Sequence, residues 1–231
     1  MRLPDPRLLV ITDRRQALRP LDEVVAEAAA AGCRWISIRE KDLPDAEQIA
    51  LAQALLPIAR DCGARLTLHG DPAIAAAAGL DGVHLSAGSD PAPARALLGE
   101  DRMVGVSIHG VAEARRIDAR MVDYLIAGPA FATDSKPGYG PSLELPGLSA
   151  LAAATAAPIL AIGGVTAERA GSLGDAGLGG IAVMGGVMRA AEPAREVAAL
   201  LAAIAPIRWA ASPGRIPQEW TPVLRPNAPS T

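Results

Sequence analysis

Short apolar runs alternate with longer amphipathic segments along most of the chain. Runs rich in Leu, Val and Ile predict eight buried strands, at residues 8–12, 35–39, 66–69, 82–85, 103–107, 123–127, 158–165 and 180–184. A segment with helical spacing of apolar residues follows each run. This alternation predicts a parallel sheet with helical crossovers. Eight units favour an α/β fold closed into a TIM (β/α)₈ barrel, with an open doubly wound sheet as the alternative.

Two features interrupt this regular pattern. Pro57 falls inside the helix predicted at 46–61, where it should bend or divide that helix. The longest irregular stretch, residues 128–146, separates strand six from the helix predicted at 148–155. Long ordered loops inside compact domains are usually functional. We therefore expect this loop to take part in a site.

The composition changes after residue 205. Six of the remaining residues are prolines, a density that resists regular structure. We divide the chain into a barrel domain, 1–205, and a proline-rich tail, 206–231. The tail is either disordered or a strap that docks Trp209 and Trp220 on the barrel or on a second subunit. The last arrangement would make the protein a homo-oligomer.

The bulk composition excludes several classes of partner. Aromatic residues make up 3% of the chain and the formal net charge is -3, which argues against nucleic-acid binding. No apolar run is long enough to span a membrane, and the first residues lack a secretory signal. Cys33 and Cys62 do not form a disulfide framework. We expect a cytoplasmic protein with a small-molecule ligand.

Glycine pairs end the last two predicted strands. Gly163-Gly164 follows one strand and Gly185-Gly186 follows the other. Glycine allows backbone N–H groups to approach an anion closely, and the loops after strands seven and eight of TIM barrels often hold a phosphate. The pairs therefore predict a phosphate site. The alternative is that these glycines only make tight turns.

Ionisable side chains collect at the predicted strand ends, which form the active-site face of a barrel. Arg39 and Lys41 alternate with Glu40, so both cations can point the same way and suit an anionic substrate, unless they are a solvated charge cluster. Histidine exchanges protons near neutral pH, so His109 is a candidate acid–base group, or else a helix cap. His84 lies inside an apolar run and is interpreted as a satisfied core residue.

Two further observations concern anions and metals. Lys136 lies among hydroxyl residues in the loop after strand six, as in an oxyanion-binding loop. No Cys/His cluster has zinc spacing. Asp71 and Asp90 lie near strand ends, but each is beyond its strand and next to a proline. We therefore predict no metal site.

Several short motifs occur in a fixed order: Val10-Ile11-Thr12-Asp13, Arg39-Glu40-Lys41, Asp81-Gly82-Val83-His84-Leu85, Gly128-Pro129-Ala130-Phe131, Thr133-Asp134-Ser135-Lys136, Ala161-Ile162-Gly163-Gly164 and Gly180-Ile181-Ala182-Val183-Met184. With these motifs, residues 8–205 resemble the superfamily of thiamine phosphate synthase and thiazole tautomerase (TenI), whose fold is a TIM barrel. The resemblance implies that a thiazole phosphate binds at the matching positions, which are Thr133, Ser135, Lys136, Gly164, Met184 and Gly185.

The chain departs from the synthase pattern where the pyrimidine diphosphate would bind. The synthase has an Asn-Asp pair after strand three, whose Asp binds magnesium, and here those positions hold His69 and Gly70. Its second metal carboxylate is replaced by Ser89. Its pyrimidine-binding Gln is replaced by Ser37. These departures weigh against synthase activity.

The tautomerase branch carries a histidine after strand five, matched here by Ser107-Ile108-His109, and tends to carry another at the position of His69. The resemblance thus implies a thiazole tautomerase, which moves a proton to aromatise a thiazole carboxylate phosphate without metal or redox cofactor. His109 would be the catalytic acid–base group, with His69 and Lys136 as candidates to assist it. Substrate-binding residues would be Arg39, Lys41, Ser107, Thr133, Ser135 and Lys136, and the phosphate would lie at Gly163, Gly164, Met184, Gly185 and Gly186.

Two alternatives stay open. The first is a thiamine phosphate synthase that joins hydroxymethylpyrimidine diphosphate to the thiazole phosphate with Mg²⁺. The second is a non-catalytic barrel that binds a phosphate of the thiamine pathway or a protein partner.

Overall fold

The computed structural model describes residues 3–133 and 142–210. Within them the predicted strands form one closed parallel barrel in which each strand pairs with the next and the last pairs with the first. The strands are β1 (Leu8–Ile11), β2 (Trp35–Ile38), β3 (Arg65–His69), β4 (Gly82–Leu85), β5 (Met103–Ile108), β6 (Tyr124–Ala127), β7 (Ile159–Ile162) and β8 (Gly180–Val183). The predicted TIM-barrel fold is confirmed.

The helices cover the outside of the barrel. They are α1 (Leu21–Ala30), α2 (Asp45–Asp61), α3 (Pro72–Ala77), α4 (Ala92–Leu98), α5 (Val111–Arg116), α6 (Glu144–Ala154), α7 (Ala167–Ala170), α8 (Gly185–Met188) and α9 (Pro193–Ile204). A 3₁₀ helix, Gly171–Ala176, follows α7. The sequence pattern did not predict this turn or α8, because both are too short to show a helical period.

Pro57 does not divide α2, which runs without a break from Asp45 to Asp61. The proline lies on the exposed face of the helix, as does Gln53, whose carbonyl loses its amide partner. Water can hydrogen-bond to that carbonyl, which keeps the cost of the missing bond low. The helix therefore continues to Asp61.

Side chains of each strand point alternately into the barrel and out towards the helices. In β1, Leu9 and Ile11 pack in the interior, whereas Leu8 and Val10 pack outside. The interior also holds Trp35 and Tyr124, whose rings meet edge to face with centroids 4.6 Å apart. Gly105 makes room for this pair, since a Cβ there would lie 2.2 Å from the Tyr124 ring. Large side chains thus fill the interior of the barrel.

The first residues after α9 pack against the barrel. Ile207 and Trp209 are partly buried against the outer core, and the backbone N–H of Ala210 donates to the carbonyl of Leu178 over 2.7 Å. Trp220 lies outside the described residues, so the strap remains a prediction. Among the helices of the described residues, none has the length and apolar character that a membrane span requires.

Candidate active site

A cavity of about 320 Å³ opens at the carboxyl ends of the strands; we call it the mouth cavity. Strand alternation decides which side chains reach it. His109 is an even number of residues after Met103, which points into the barrel from β5, so it points to the same side. Arg39 is likewise an even number of residues after the interior residue Trp35 of β2. The cavity therefore collects six residues that the sequence predicted as site residues: Arg39, Lys41, His69, Ser107, His109 and Met184.

The charged residues after β2 belong to a hydrogen-bonded group that we call the clasp: Thr12, Arg14, Glu40 and Asp42. The buried Glu40 carboxylate accepts from the Thr12 hydroxyl at 2.8 Å and from the Arg14 guanidinium at 3.1 Å. Arg14 also binds both oxygens of Asp42, at 2.7 and 2.8 Å, and this hydrogen bonding lowers the pKa of the Asp42 carboxyl. The clasp fixes the loop after β1 against the loop after β2.

The two cations beside Glu40 face the mouth cavity. The backbone N–H of Arg39 donates to the clasp hydroxyl of Thr12 over 3.0 Å. Lys41 reaches across the cavity rim, where its Nζ lies 3.4 Å from the hydroxyl oxygen of Ser86. This arrangement gives the mouth cavity a positive side, which suits an anionic group of a ligand.

A backbone carbonyl sets the tautomer of His109. Its Nδ1 lies 3.0 Å from the carbonyl oxygen of Gly128. A carbonyl oxygen can only accept, so Nδ1 carries the proton and, in the neutral imidazole, Nε2 is the basic nitrogen. The His109 backbone N–H donates to the Glu113 carboxylate over 2.6 Å and anchors the residue at the start of α5. Together these contacts hold an acid–base group at the cavity wall.

The other two histidines line the same cavity as His109, with their rings tilted by 39° to each other. His69 Nδ1 lies 2.8 Å from the Ser37 hydroxyl, His84 Nε2 lies 2.8 Å from the Ser107 hydroxyl, and the two ring centroids are 4.2 Å apart. Burial, with a smaller contribution from Lys41, lowers the pKa of His84 to about 3. His84 therefore stays neutral.

The interpretation of His84 as a satisfied core residue needs correction. The side chain is buried, but it lines the mouth cavity and contacts Ser107 there. Within the described part of the chain, its Nδ1 has no hydrogen-bond partner. The apolar neighbours Val83 and Leu85 misled the prediction, because in a strand they point to the opposite side.

A second cavity, of about 650 Å³, lies at the ends of β7 and β8; we call it the glycine cavity. It adjoins the mouth cavity, since Ile162 and Met184 line both. Both predicted glycine pairs line it, together with Thr133 and Thr166. The described phosphate-site candidates thus meet around one space, which shares Ile162 and Met184 with the cavity beside His109.

Local geometry already requires glycine at the end of β7. Gly163 and Gly164 have φ angles of 97° and 64°, in the left-handed region that favours glycine. A Cβ on Gly164 would lie 2.6 Å from the Ala132 carbonyl oxygen, because the loop after β6 packs directly on this turn. The tight-turn explanation therefore holds for this pair, and the cavity is a further property of the same turn.

Sequence reasoning missed two arginines that line the glycine cavity. Arg169 donates from Nη1 to the carbonyl of Gly164 over 3.2 Å, and its guanidinium lies over the Phe131 ring. Arg189 lies against Gly185. Each arginine comes about one helical turn after its glycine, a spacing that could have identified both. Glu168 also lines the cavity, and its hydrogen bond with Thr166 lowers the pKa of that carboxyl.

Two predicted site residues, Ser135 and Lys136, lie outside the described residues. Their roles in substrate binding, and the assisting role of Lys136, stay predictions. Thr133, just before them, lines the glycine cavity.

Three described carboxylates near the strand ends accept hydrogen bonds within the protein. Asp71 accepts from the backbone N–H of Ala73 at 2.7 Å, Asp90 accepts from that of Ala92 at 3.0 Å, and Glu40 is held in the clasp. Over residues 3–133 and 142–210, no group of three or more His, Cys, Asp or Glu side chains could share a metal ion. Magnesium with a diphosphate prefers carboxylate oxygens, so these residues do not fit such a site.

Comparison with known proteins identifies the family. The family model described as thiamine monophosphate synthase (TMP-TENI) matches residues 8–187. The chain belongs to the TMP-TENI family. Thiamine-phosphate synthase of Roseiflexus sp. (strain RS-1) is 40% identical over 85% of this chain and 84% of its own length, and that of Moorella thermoacetica is 39% identical over 80% and 89%.

A solved structure agrees with this assignment. Thiamine phosphate pyrophosphorylase from Pyrococcus furiosus superposes with a TM-score of 0.76 at 30% identity, covering 86% of this chain and 95% of that one. The recognised superfamily is thus confirmed. The matches do not single out its tautomerase branch.

Proposed function

We propose that this TMP-TENI protein is an enzyme of thiamine biosynthesis that aromatises a thiazole carboxylate phosphate tautomer by proton transfer. The observation that carries the proposal is His109, whose Nδ1 donates to the Gly128 carbonyl beside a cavity that shares two lining residues with the glycine cavity. A base in the mouth cavity and an anion site in the glycine cavity suit one substrate that carries both a ring and a phosphate.

The proposed mechanism assigns each end of the substrate to one cavity. The phosphate lies in the glycine cavity and the ring projects past Met184 into the mouth cavity. His109 Nε2 takes the proton from a ring carbon, and the electrons of that C–H bond move into the ring. The resulting imidazolium returns a proton to a different atom of the substrate, so the product is an aromatic isomer of the same formula.

Cations near the mouth would stabilise the charged intermediate. Arg39 and Lys41 lie on the cavity wall, where they can neutralise the substrate carboxylate and the electron density gained by the ring. His69 lies on the same wall, bound to Ser37, and is available to orient the ring. No step in this sequence needs a metal or a redox cofactor.

The second candidate is thiamine phosphate synthesis with Mg²⁺, the alternative of the sequence analysis. The names of relatives that are about 40% identical favour it over the tautomerase. The site chemistry weighs against it, because His69 and Gly70 replace the Asn-Asp pair and the nearby carboxylates are engaged elsewhere. The choice of the tautomerase over the synthase therefore rests on the positions where this chain departs from the synthase pattern.

Two assays on the purified full chain separate the candidates. In the first, the non-aromatic tautomer phosphate is supplied with EDTA, and aromatic product is followed by absorbance and NMR against a no-enzyme control. In the second, the pyrimidine diphosphate and thiazole phosphate are supplied with Mg²⁺, and thiamine phosphate is measured by chromatography.

We expect acceleration in the first assay that EDTA does not reduce, with little product in the second. Mg²⁺-dependent thiamine phosphate formation without accelerated aromatisation would overturn the proposal in favour of the synthase. Absence of turnover in both assays, with phosphate ligand still bound, would overturn it in favour of a non-catalytic barrel.

A further inference from the structure

The guanidinium of Arg189 occupies the space that a side chain at position 185 would need. A Cβ built on Gly185 would lie 2.5 Å from Arg189 Nη1 and 2.6 Å from Nη2. Both residues line the glycine cavity. The missing side chain at 185 therefore allows the guanidinium to lie directly against the backbone of Gly185 in the lining of the cavity.

Side chains from the loop after β1 hold this guanidinium in place. Arg189 Nη1 donates to Gln16 Oε1, and Gln16 Nε2 donates in turn to the Asp13 carboxylate over 2.5 Å. Asp13 also accepts from the backbone N–H of Arg15 at 3.1 Å. The guanidinium is thus oriented by the uncharged amide of Gln16.

We infer that Arg189 is a specificity-determining residue that binds the terminal phosphate of the ligand, and that Gly185 is required because it leaves room for the guanidinium. A planar guanidinium binds phosphate oxygens through paired N–H donors. With Arg169 across the cavity, the site would favour a dianionic phosphate monoester over the corresponding alcohol. The inference rests on the proposed phosphate site but not on the proton-transfer chemistry.

The test measures binding by calorimetry with thiazole phosphate, the unphosphorylated thiazole alcohol and inorganic phosphate as probes. Arg189→Gln should weaken thiazole phosphate binding about 10- to 100-fold, the effect of losing hydrogen bonds to a charged group, and change alcohol binding less than about twofold. Arg195→Gln is the matched control, since it removes the same charge from an exposed residue of α9. It should leave all three affinities unchanged.

A double-mutant cycle tests the role of the glycine. Gly185→Ala should displace the guanidinium of Arg189 from its contact with Gln16 and weaken phosphate binding, although the positive charge is still present. In the Arg189→Gln background the same Gly185→Ala change should have little further effect, because the group it displaces is gone. Additive losses would show that the methyl group blocks the ligand itself, and would overturn the inference about Gly185.

The outcomes also separate this inference from the proposed function. Wild-type affinity for thiazole phosphate in Arg189→Gln, alongside normal aromatisation, would overturn the role of Arg189 alone. Loss of inorganic phosphate and thiazole phosphate binding in Arg189→Gln, in a protein that does not aromatise the tautomer, would support the phosphate role and refute the tautomerase.

Discussion

At the scale of single residues, His109 shows how a backbone contact can fix the tautomer of a side chain. The Gly128 carbonyl fixes the proton on Nδ1, so the nitrogen that remains basic is known without a bound ligand. The carbonyl belongs to the loop after β6, whereas the histidine follows β5. The tautomer therefore depends on the pairing of β5 with β6, which places Ile108 beside Ala127.

We predict that His109→Gln lowers the rate of aromatisation by about 10²–10⁴-fold, the usual contribution of a positioned acid–base group. Binding of the aromatic product should change little, because the phosphate contacts are elsewhere. The measurement is kcat with EDTA present, together with the Kd for product. The His69→Gln variant is the comparison, with an expected loss of less than tenfold. A larger loss in His69→Gln than in His109→Gln would mean that the catalytic histidine is misassigned.

His84 makes stability depend on pH. Its pKa in the folded protein, about 3, lies below the ordinary value of 6.5, so the unfolded chain takes up a proton first as the solution is acidified. Above about pH 6.5, His84 is neutral in both the folded and the unfolded chain and does not reduce stability. As the pH falls from 6.5 towards 3, protonation of the unfolded chain progressively lowers the free energy of unfolding. Between pH 6.5 and 5, we expect the free energy of unfolding to fall by up to about 1.4 kcal/mol per pH unit through this residue.

Urea denaturation at pH 6.5 and pH 5 checks this effect. The decrease in the free energy of unfolding should be smaller in His84→Gln than in the wild type. Equal decreases in the two proteins would show that the imidazole titrates normally and that its burial has no energetic consequence.

At the scale of elements, the clasp joins the loop after β1 to the loop after β2. Glu40 accepts hydrogen bonds from Thr12 and Arg14 while it is almost fully buried. We predict that Glu40→Gln, which keeps the shape but removes the charge, lowers the free energy of unfolding by about 1.5–3 kcal/mol. It should also weaken substrate binding, since Arg39 is attached to the clasp through Thr12.

Asp42→Asn is the matched control for the clasp, because the Asp42 side chain is exposed and contacts the same arginine. Its effect on the free energy of unfolding should be clearly smaller than that of Glu40→Gln, because exposed ion pairs contribute little. Urea denaturation measures both variants. Equal losses would contradict the view that the buried carboxylate holds the two loops together.

Strands and helices could be predicted from the sequence where apolar residues recur at a regular spacing. Strands such as β1 and β5 alternate between interior and exterior, and the same parity predicts that Arg39 and His109 face the mouth. The short helix α8 and the 3₁₀ turn have too few residues for a period. Contacts between distant loops, such as Gln16 with Arg189, leave no trace in local spacing and needed the fold.

For the whole molecule, the proposed site lies at one end of the barrel and a buried ion pair lies at the other. Arg95 and Asp123, near the amino-terminal ends of β5 and β6, form a buried ion pair at 2.6 Å, and the same carboxylate accepts from the Val104 N–H at 2.8 Å. Arg95 also donates to the carbonyls of Gly99 and Arg102. In TIM barrels residues at this end serve stability rather than catalysis.

We predict that Asp123→Ala lowers the free energy of unfolding by about 3–5 kcal/mol, because it leaves the Arg95 charge buried without its carboxylate. The kcat per folded molecule should be unchanged. Thermal denaturation and active-site titration measure the two quantities. Asp118→Ala, which breaks an exposed pair with Arg120, should cost less than about 1 kcal/mol. A fall in kcat of the folded Asp123→Ala protein would contradict this division between the two ends.

The whole account depends on one ligand spanning two joined cavities, and a crystal structure with the aromatic thiazole carboxylate phosphate bound tests it most directly. We predict that the phosphate lies in the glycine cavity, within hydrogen-bond distance of the Gly164 or Gly185 backbone N–H. The ring should lie in the mouth cavity with a carbon next to His109 Nε2. A phosphate bound instead by Arg39 and Lys41, with the ring remote from His109, would contradict the account.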